Sequence, residues 1–179
     1  MTYSYSLRSL CDLDEAQRTG IKALKEAVYP PEQYADDPVR SREWRTTQWC
    51  VLATDGEDTV ASYTGMVIVE GEVDDEPVRI GGVGGIATHP DHRGRGLARN
   101  SIDIALEHMT ENGADFALLV CRDQLVPYYE SLGWRLFAGT TMNRQWGEAE
   151  VFTFNRVMVI DAAGRSPEDG IIDVAGPLW

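Results

Sequence analysis

The sequence predicts a mixed α/β fold, and two stretches carry that prediction. Gln48–Ala53 and Thr59–Val69 read as strands joined by the turn at Asp55-Gly56, a hairpin signature. Further on, a strand over Val78–Thr88, an amphipathic helix from about Gly96 to Asn112 and the apolar run Phe116–Cys121 form a right-handed crossover unit. The length of 179 residues suits one domain spanning 1–179 and permits a sizeable core.

The remaining elements follow from local signals. Alternation from Tyr3 to Leu10 predicts a first strand, and Asp12 or Asp14 caps a helix running to about Val28. Ile21, Leu24 and Val28 share one face of that helix, and Tyr29-Pro30-Pro31 ends it. Asp37-Pro38 opens a second helix to about Thr46, proline being tolerated in a first turn. The acidic stretches Asp55–Asp58 and Glu70–Glu76 read as solvated turns. Ala98, Ile102, Ala105, Leu106 and Met109 make the apolar stripe of the long helix, which Gly113 stops. Phe116–Cys121 is apolar throughout, as in a strand buried on both faces. Pro127 opens a short helix through Leu132, and strands follow near Trp134–Ala138 and Val151–Val159.

Composition excludes several classes. Cys11, Cys50 and Cys121 are odd in number and widely spaced, which indicates neither a disulfide framework nor a zinc site. A reducing cytoplasm is the expected home, because no leader-like segment or apolar span of membrane length occurs. With 16 basic and 29 acidic side chains the formal charge is −13, which argues against a nucleic-acid partner. Such acidity favours a cationic acceptor, or serves solubility and adaptation to salt.

Against this background residues 92–99 stand out, with three arginines, a histidine and no acid. His89-Pro90-Asp91-His92-Arg93-Gly94-Arg95-Gly96-Leu97-Ala98 lies between a strand and a helix, where unpaired helix N–H groups attract anions. Glycines let that backbone approach a phosphate, and arginines add charge-assisted hydrogen bonds. Two other readings of this region fail on context. Residues 82–87 match G-x-G-x-x-A, but Thr88-His89-Pro90 follows where a dinucleotide site needs a helix start. His89 and His92 beside two arginines make a poor metal site, so no metal is expected.

Arg93-x-x-Gly96-x-Ala98 resembles the acyl-CoA signature of the GNAT (GCN5-related N-acetyltransferase) superfamily, and Tyr129-Glu130-Ser131-Leu132-Gly133-Trp134 is similar to its second motif. The likeness runs from about Tyr3 to Val159. It implies an α+β type of α/β fold: a mixed, mostly antiparallel sheet with a bulged, splayed central strand pair and flanking helices. It also implies direct acyl transfer from acetyl-CoA, as co-substrate, to a primary amine. By the same likeness the amides of Arg93, Gly94, Arg95, Gly96, Leu97 and Ala98 hold the pyrophosphate, with the Arg93, Arg95 and Arg99 side chains as supplements. Ile86, Ala87 and Thr88 orient the pantetheine arm and the thioester.

Gly81, Gly82, Gly84 and Gly85 crowd one strand, and each weakens it by about 0.5–1 kcal/mol. A bulge or a close backbone approach offsets such a loss. Tyr129 is the expected catalytic residue, close to the coenzyme A sulfur by resemblance, while Tyr128 better fits a packing role. Reference values near 10 for tyrosine and 8.5 for a thiol make full proton transfer uphill by about 2 kcal/mol, so Tyr129 is read as a hydrogen-bond donor to the developing thiolate. Many GNAT enzymes carry a glutamate base on the glycine-rich strand. Here Val83-Gly84-Gly85-Ile86-Ala87 stands where aminoglycoside 2'-N-acetyltransferases have Val-Glu-Gly-Val-Ala, so Gly84 removes that carboxylate.

The tail is similar to two relatives. Its final Gly-x-x-Trp resembles that of aminoglycoside 2'-N-acetyltransferases, whose terminal carboxylate joins the acceptor site. Ile171-Ile172-Asp173-x-x-Gly176-Pro177 is similar to the tail of the nodulation N-acyltransferases. Both imply an amino-sugar acceptor and mark Asp173 and Trp179 as substrate residues, with Glu148 and Glu150 as other carboxylates for a cationic acceptor. The other reading packs Trp179 on the surface. The expected partner is a small-molecule amine, with no membrane and with a homodimer left open. A non-catalytic acyl-CoA-binding module and a peptide or protein N-acetyltransferase stay open beside the small-molecule enzyme.

Overall fold

A computed structural model describes residues 2–30, 41–57 and 59–179. They fall into two compact units. The first comprises Met1–Arg42, Thr47–Met66 and Gly85–Ala105, and the second Glu43–Thr46, Val67–Gly84 and Leu106–Trp179. The architecture is a mixed, mostly antiparallel sheet with flanking helices.

In the first unit, β1 (Ser4–Ser9) pairs antiparallel with β2 (Trp49–Thr54), which pairs antiparallel with residues 60–66 of β3 (Val60–Val73). Between β1 and β2 lies α1 (Glu15–Val28). Asp14 is its cap: Gln17 N–H donates to Asp14 Oδ1 at 2.8 Å, and Asp14 N–H donates to Gln17 Oε1 at 3.1 Å. Ile21 and Leu24 bury against Cys50, Leu52, Val60 and Tyr63, which makes this unit's core. Asp55 closes the β2–β3 turn by accepting from Glu57 and Thr59 N–H, and these bonds hold its carboxyl below the usual range.

In the second unit the ladder runs β6-β9-β5-β4-β3-β10-β7-β8. Its strands are β4 (Glu76–Thr88), β5 (Phe116–Cys121), β6 (Arg135–Leu136), β7 (Thr140–Gln145), β8 (Glu148–Val151), β9 (Arg156–Asp161) and β10 (Ile171–Asp173). β4 pairs parallel with β5, as does β10 with β7. The core gathers Ile80, Phe116, Leu118, Val159, Ile172, Leu178 and Trp179. Two further α-helices are α2 (Leu97–Glu111), which runs from the first unit into the second, and α3 (Val126–Glu130).

Several expectations are corrected. Most of the helix expected over 37–46 lies outside the described residues, and 43–46 is not helical. There the backbone is held by the tail, with Arg45 N–H donating to Leu178 O at 2.6 Å. The acidic stretch 70–76 is largely strand. Only Asp74 and Asp75 turn, with φ of 51° and 68°, the left-handed pair of a tight hairpin, while the other acids sit along the paired strands. The strand expected over Val151–Val159 begins only at Arg156, because 152–155 leave the ladder. β7, β8 and β10 were not expected. Among the described residues no helix is long and apolar enough to cross a membrane.

Candidate active site

The candidate residues divide between the two units. In the first, a short 3-10 turn over Pro90–His92 leads into Arg93 and then α2. Gly94 and Gly96 have φ of 73° and 75°, and a Cβ on either would meet nothing within 4 Å. These glycines answer to backbone angle, since left-handed geometry strains any L residue with a side chain. The space beside both glycines is open, and the first amides of α2 lack intrahelical partners.

The surrounding side chains are fixed in a cationic arrangement. Arg95 donates to Tyr3 Oη at 2.9 Å and to Asp91 O at 3.2 Å, and Tyr3 Oη is 2.8 Å from His92 Nδ1. Arg93 Nε donates to Thr88 O at 3.2 Å. Among the described residues neither Arg93 nor Arg99 pairs with a carboxylate, in a protein of net charge −13. Open amides, guanidinium groups without carboxylate partners and room at two glycines fit a pyrophosphate.

The end of β4 also belongs to this unit. Gly85 has φ of 62°, a left-handed residue within the strand. The pairing of β4 with β5 stops one residue before Gly84, at Val83↔Leu119, which is the expected splay. Ile86 O accepts from Tyr29 Oη at 3.0 Å, Ala87 O from Ser62 Oγ at 2.9 Å, and Thr88 O from Arg93.

In the second unit α3 carries Tyr129, which is 6% exposed, while Tyr128 is 40% exposed. The packing role expected of Tyr128 therefore falls to Tyr129. Gly133 at φ 92° turns the backbone, so that Trp134 N–H donates to Tyr129 O at 3.1 Å. The Trp134 ring meets the Tyr129 ring edge-on at 6.4 Å. This explains the Tyr-to-Gly-aromatic spacing: the glycine lets the aromatic brace the tyrosine.

The tail lies in this unit as well, and its tryptophan is not on the surface. Trp179 is 6% exposed and Leu178 1%. A Cβ on Gly82 would run into the Trp179 indole, and one on Gly84 would lie 3.0 Å from the carbonyl carbon and oxygen of Trp179. Gly81 faces Met109 of α2 instead. The glycine-rich strand is thus glycine-rich on one face because Trp179 occupies the side-chain space, and a glutamate at 84 would collide with the tail.

Asp173 forms a bidentate pair with Arg144 at 3.0 Å and accepts from Ala175 N–H at 2.8 Å. Its carboxylate fixes the tail. Glu148 is exposed on β8, and Glu150 is half-buried there opposite Asn143. The sequence reading missed Arg45 and Arg144. Arg45 donates to Pro177 O and Val174 O besides its amide bond to Leu178 O, and Arg144 N–H donates to Gly176 O. No local pattern marks either residue, because both bind backbone oxygens far along the sequence.

A family model described as an acetyltransferase (GNAT) domain matches residues 11–137. The chain belongs to the GNAT acetyltransferases. As a GNAT protein it is an acyltransferase, and the motifs at 93–98 and 129–134 lie within the matched span. Solved structures agree on the fold. The GNAT family N-acetyltransferase YhbS from Escherichia coli, in complex with coenzyme A, is 19% identical with a TM-score of 0.62, over 97% of this chain and 91% of that one. ElaA from Escherichia coli is 17% identical with a TM-score of 0.63, over 89% and 100%. A Brucella melitensis GNAT family acetyltransferase in complex with acetyl-CoA is 13% identical with a TM-score of 0.59, over 94% of each. A comparison with curated proteins returns no match.

Proposed function

We propose that this GNAT protein transfers acetyl directly from acetyl-CoA to a primary amine of a small acceptor, with cationic amino sugars and aminoglycosides as the favoured class. The observation that carries the donor half is the turn at 93–98, where two left-handed glycines stand beside Arg93, which pairs with no carboxylate among the described residues, at the start of α2. Its amides and the Arg93 and Arg99 guanidinium groups hold the pyrophosphate. Ile86, Ala87 and Thr88 align the pantetheine and the thioester through backbone groups. Acetyl-CoA supplies the activated acyl group, and the protein supplies orientation and charge stabilisation.

Tyr129 takes the role that the family likeness gives it, donating a hydrogen bond to the thiolate as it departs. Trp134 holds its ring in place. With no carboxylate at 84, the acceptor's ammonium loses its proton to solvent through water on backbone oxygens, of which Trp179 O is one. Trp179 borders the acceptor, and Asp173 serves it by fixing the tail through Arg144.

The test is thiol release from acetyl-CoA with aminoglycosides, simple amino sugars, polyamines and short peptides. One acceptor class should turn over, and Tyr129→Phe should lower kcat by about a hundredfold with little change in acetyl-CoA affinity. Turnover with peptides alone would move the protein to the peptide N-acetyltransferases. Binding of acetyl-CoA without turnover would favour an acyl-CoA-binding module, the reading that Gly84 supports.

A further inference from the structure

Of the 16 basic side chains 14 are arginines, and the two lysines, Lys22 and Lys25, share α1. Arginine stays protonated and cannot act as a nucleophile, whereas lysine can lose its proton and attack a carbonyl. The two lysines differ sharply in setting. Lys22 has a side chain 78% exposed and its Nζ 3.9 Å from Glu26. Lys25 has no carboxylate partner among the described residues, although acids outnumber bases in the protein. Its Nζ instead lies 4.6 Å from the centroid of the Tyr63 ring.

Tyr63 links that ammonium to the thioester strand. The ring is buried, its Oη is 3.3 Å from Thr47 Oγ1, and its Cε1 is 3.4 Å from where a Cβ on Gly85 would stand. One turn beyond Lys25, Tyr29 donates to Ile86 O. Tyr63 therefore meets Gly85, and Tyr29 meets Ile86, the first residue of the segment assigned to the thioester. The Lys25 residue as a whole is exposed, but burial of its head group lowers its pKa, against the attraction of the ring for the ammonium. The adjacent Cys50 thiol, pushed up to about 11 by burial, stays neutral at pH 7 and adds little opposing charge.

We propose that Lys25 is an acylation site of the protein itself, its ε-amine taking acetyl from the thioester along Ile86–Thr88 when no acceptor is bound. The neutral amine attacks the thioester carbonyl, a C–N bond forms, the C–S bond breaks and coenzyme A leaves as thiolate. The proton shed by nitrogen passes through solvent to the thiolate. The product is a neutral amide over Tyr63 where a cation stood, which changes the charge beside Gly85. This inference rests on the reading of the protein as an acetyl-CoA enzyme.

The experiment incubates the full-length protein with acetyl-CoA alone and follows acetylation by peptide mass spectrometry, with acetyl-CoA binding measured in parallel by calorimetry. Proximity predicts that Lys25 is acetylated roughly tenfold or more faster than the better exposed Lys22. Lys25→Arg should abolish that product and leave acetyl-CoA binding intact. Equal modification of both lysines, or binding with Lys25 unmodified, would overturn the assignment and leave the enzyme reading standing. Absence of acetyl-CoA binding would overturn both.

Discussion

Two pairs of glycines in this protein have opposite reasons to exist. Gly94 and Gly96 stand at φ of 73° and 75° with nothing within 4 Å of a Cβ, so they are needed for backbone angle and the space they leave is for a ligand. Gly82 and Gly84 lie in a strand under Trp179, so they are needed for packing and the protein fills their space itself. The first pair can be recognised from its neighbours in sequence. The second cannot, because its partner, Trp179, lies almost a hundred positions further along. Glycine content alone therefore says little about a ligand, and the atoms around the missing side chain decide.

The largest expected effect tests the packing pair. Trp179→Ala removes a core side chain and should destabilise by about 3–5 kcal/mol, read by denaturant unfolding. Gly82→Ala should destabilise by about 1–3 kcal/mol through overpacking, and most of that loss should vanish in the Trp179→Ala background. Additive losses would separate the glycine from the tryptophan and break the comparison.

A smaller effect follows from Gly84. Without a carboxylate there, kcat/KM should rise about tenfold per pH unit until the acceptor amine's own pKa is reached. A plateau already present in mildly acidic solution would reveal a carboxylate base elsewhere. The smallest effect concerns the turn. Gly94→Ala should cost about 1–2 kcal/mol of stability in wild type and the same in Trp179→Ala, since its penalty is backbone strain alone.

Elements with local, period-matched signals were legible in the sequence. Asp12 or Asp14 is expected to cap α1 and Asp14 does so, and Phe116–Cys121 has the bounds of β5 as expected. β7 was invisible for a physical reason. Its inward residues are Thr141, Asn143 and Gln145, so the apolar alternation that betrays a strand is absent. β10 has three residues and β6 two, too short for any period. Glu70 and Glu72 read as loop because clustered charge favours a turn, whereas in β3 it marks outward positions. Of the candidate residues, the turn and the Tyr129 motif were legible because their glycines, arginines and aromatics sit close together in sequence. The seat of Trp179 was not, since it joins a tail to a distant strand and is locked by Arg45 and Arg144. Lys25 left one sequence signal, the scarcity of lysine itself, which gains meaning only beside Tyr63.

The central claim is that the open turn holds the acyl donor. The measurement that tests it most directly is calorimetric titration of acetyl-CoA into wild type and Gly96→Val, with folding of each checked by circular dichroism. Wild type should bind, and the folded variant should bind at least about tenfold more weakly, because a branched side chain both strains the loop and fills the phosphate space. Equal affinity in the two proteins would contradict the claim and move the donor site away from residues 93–98.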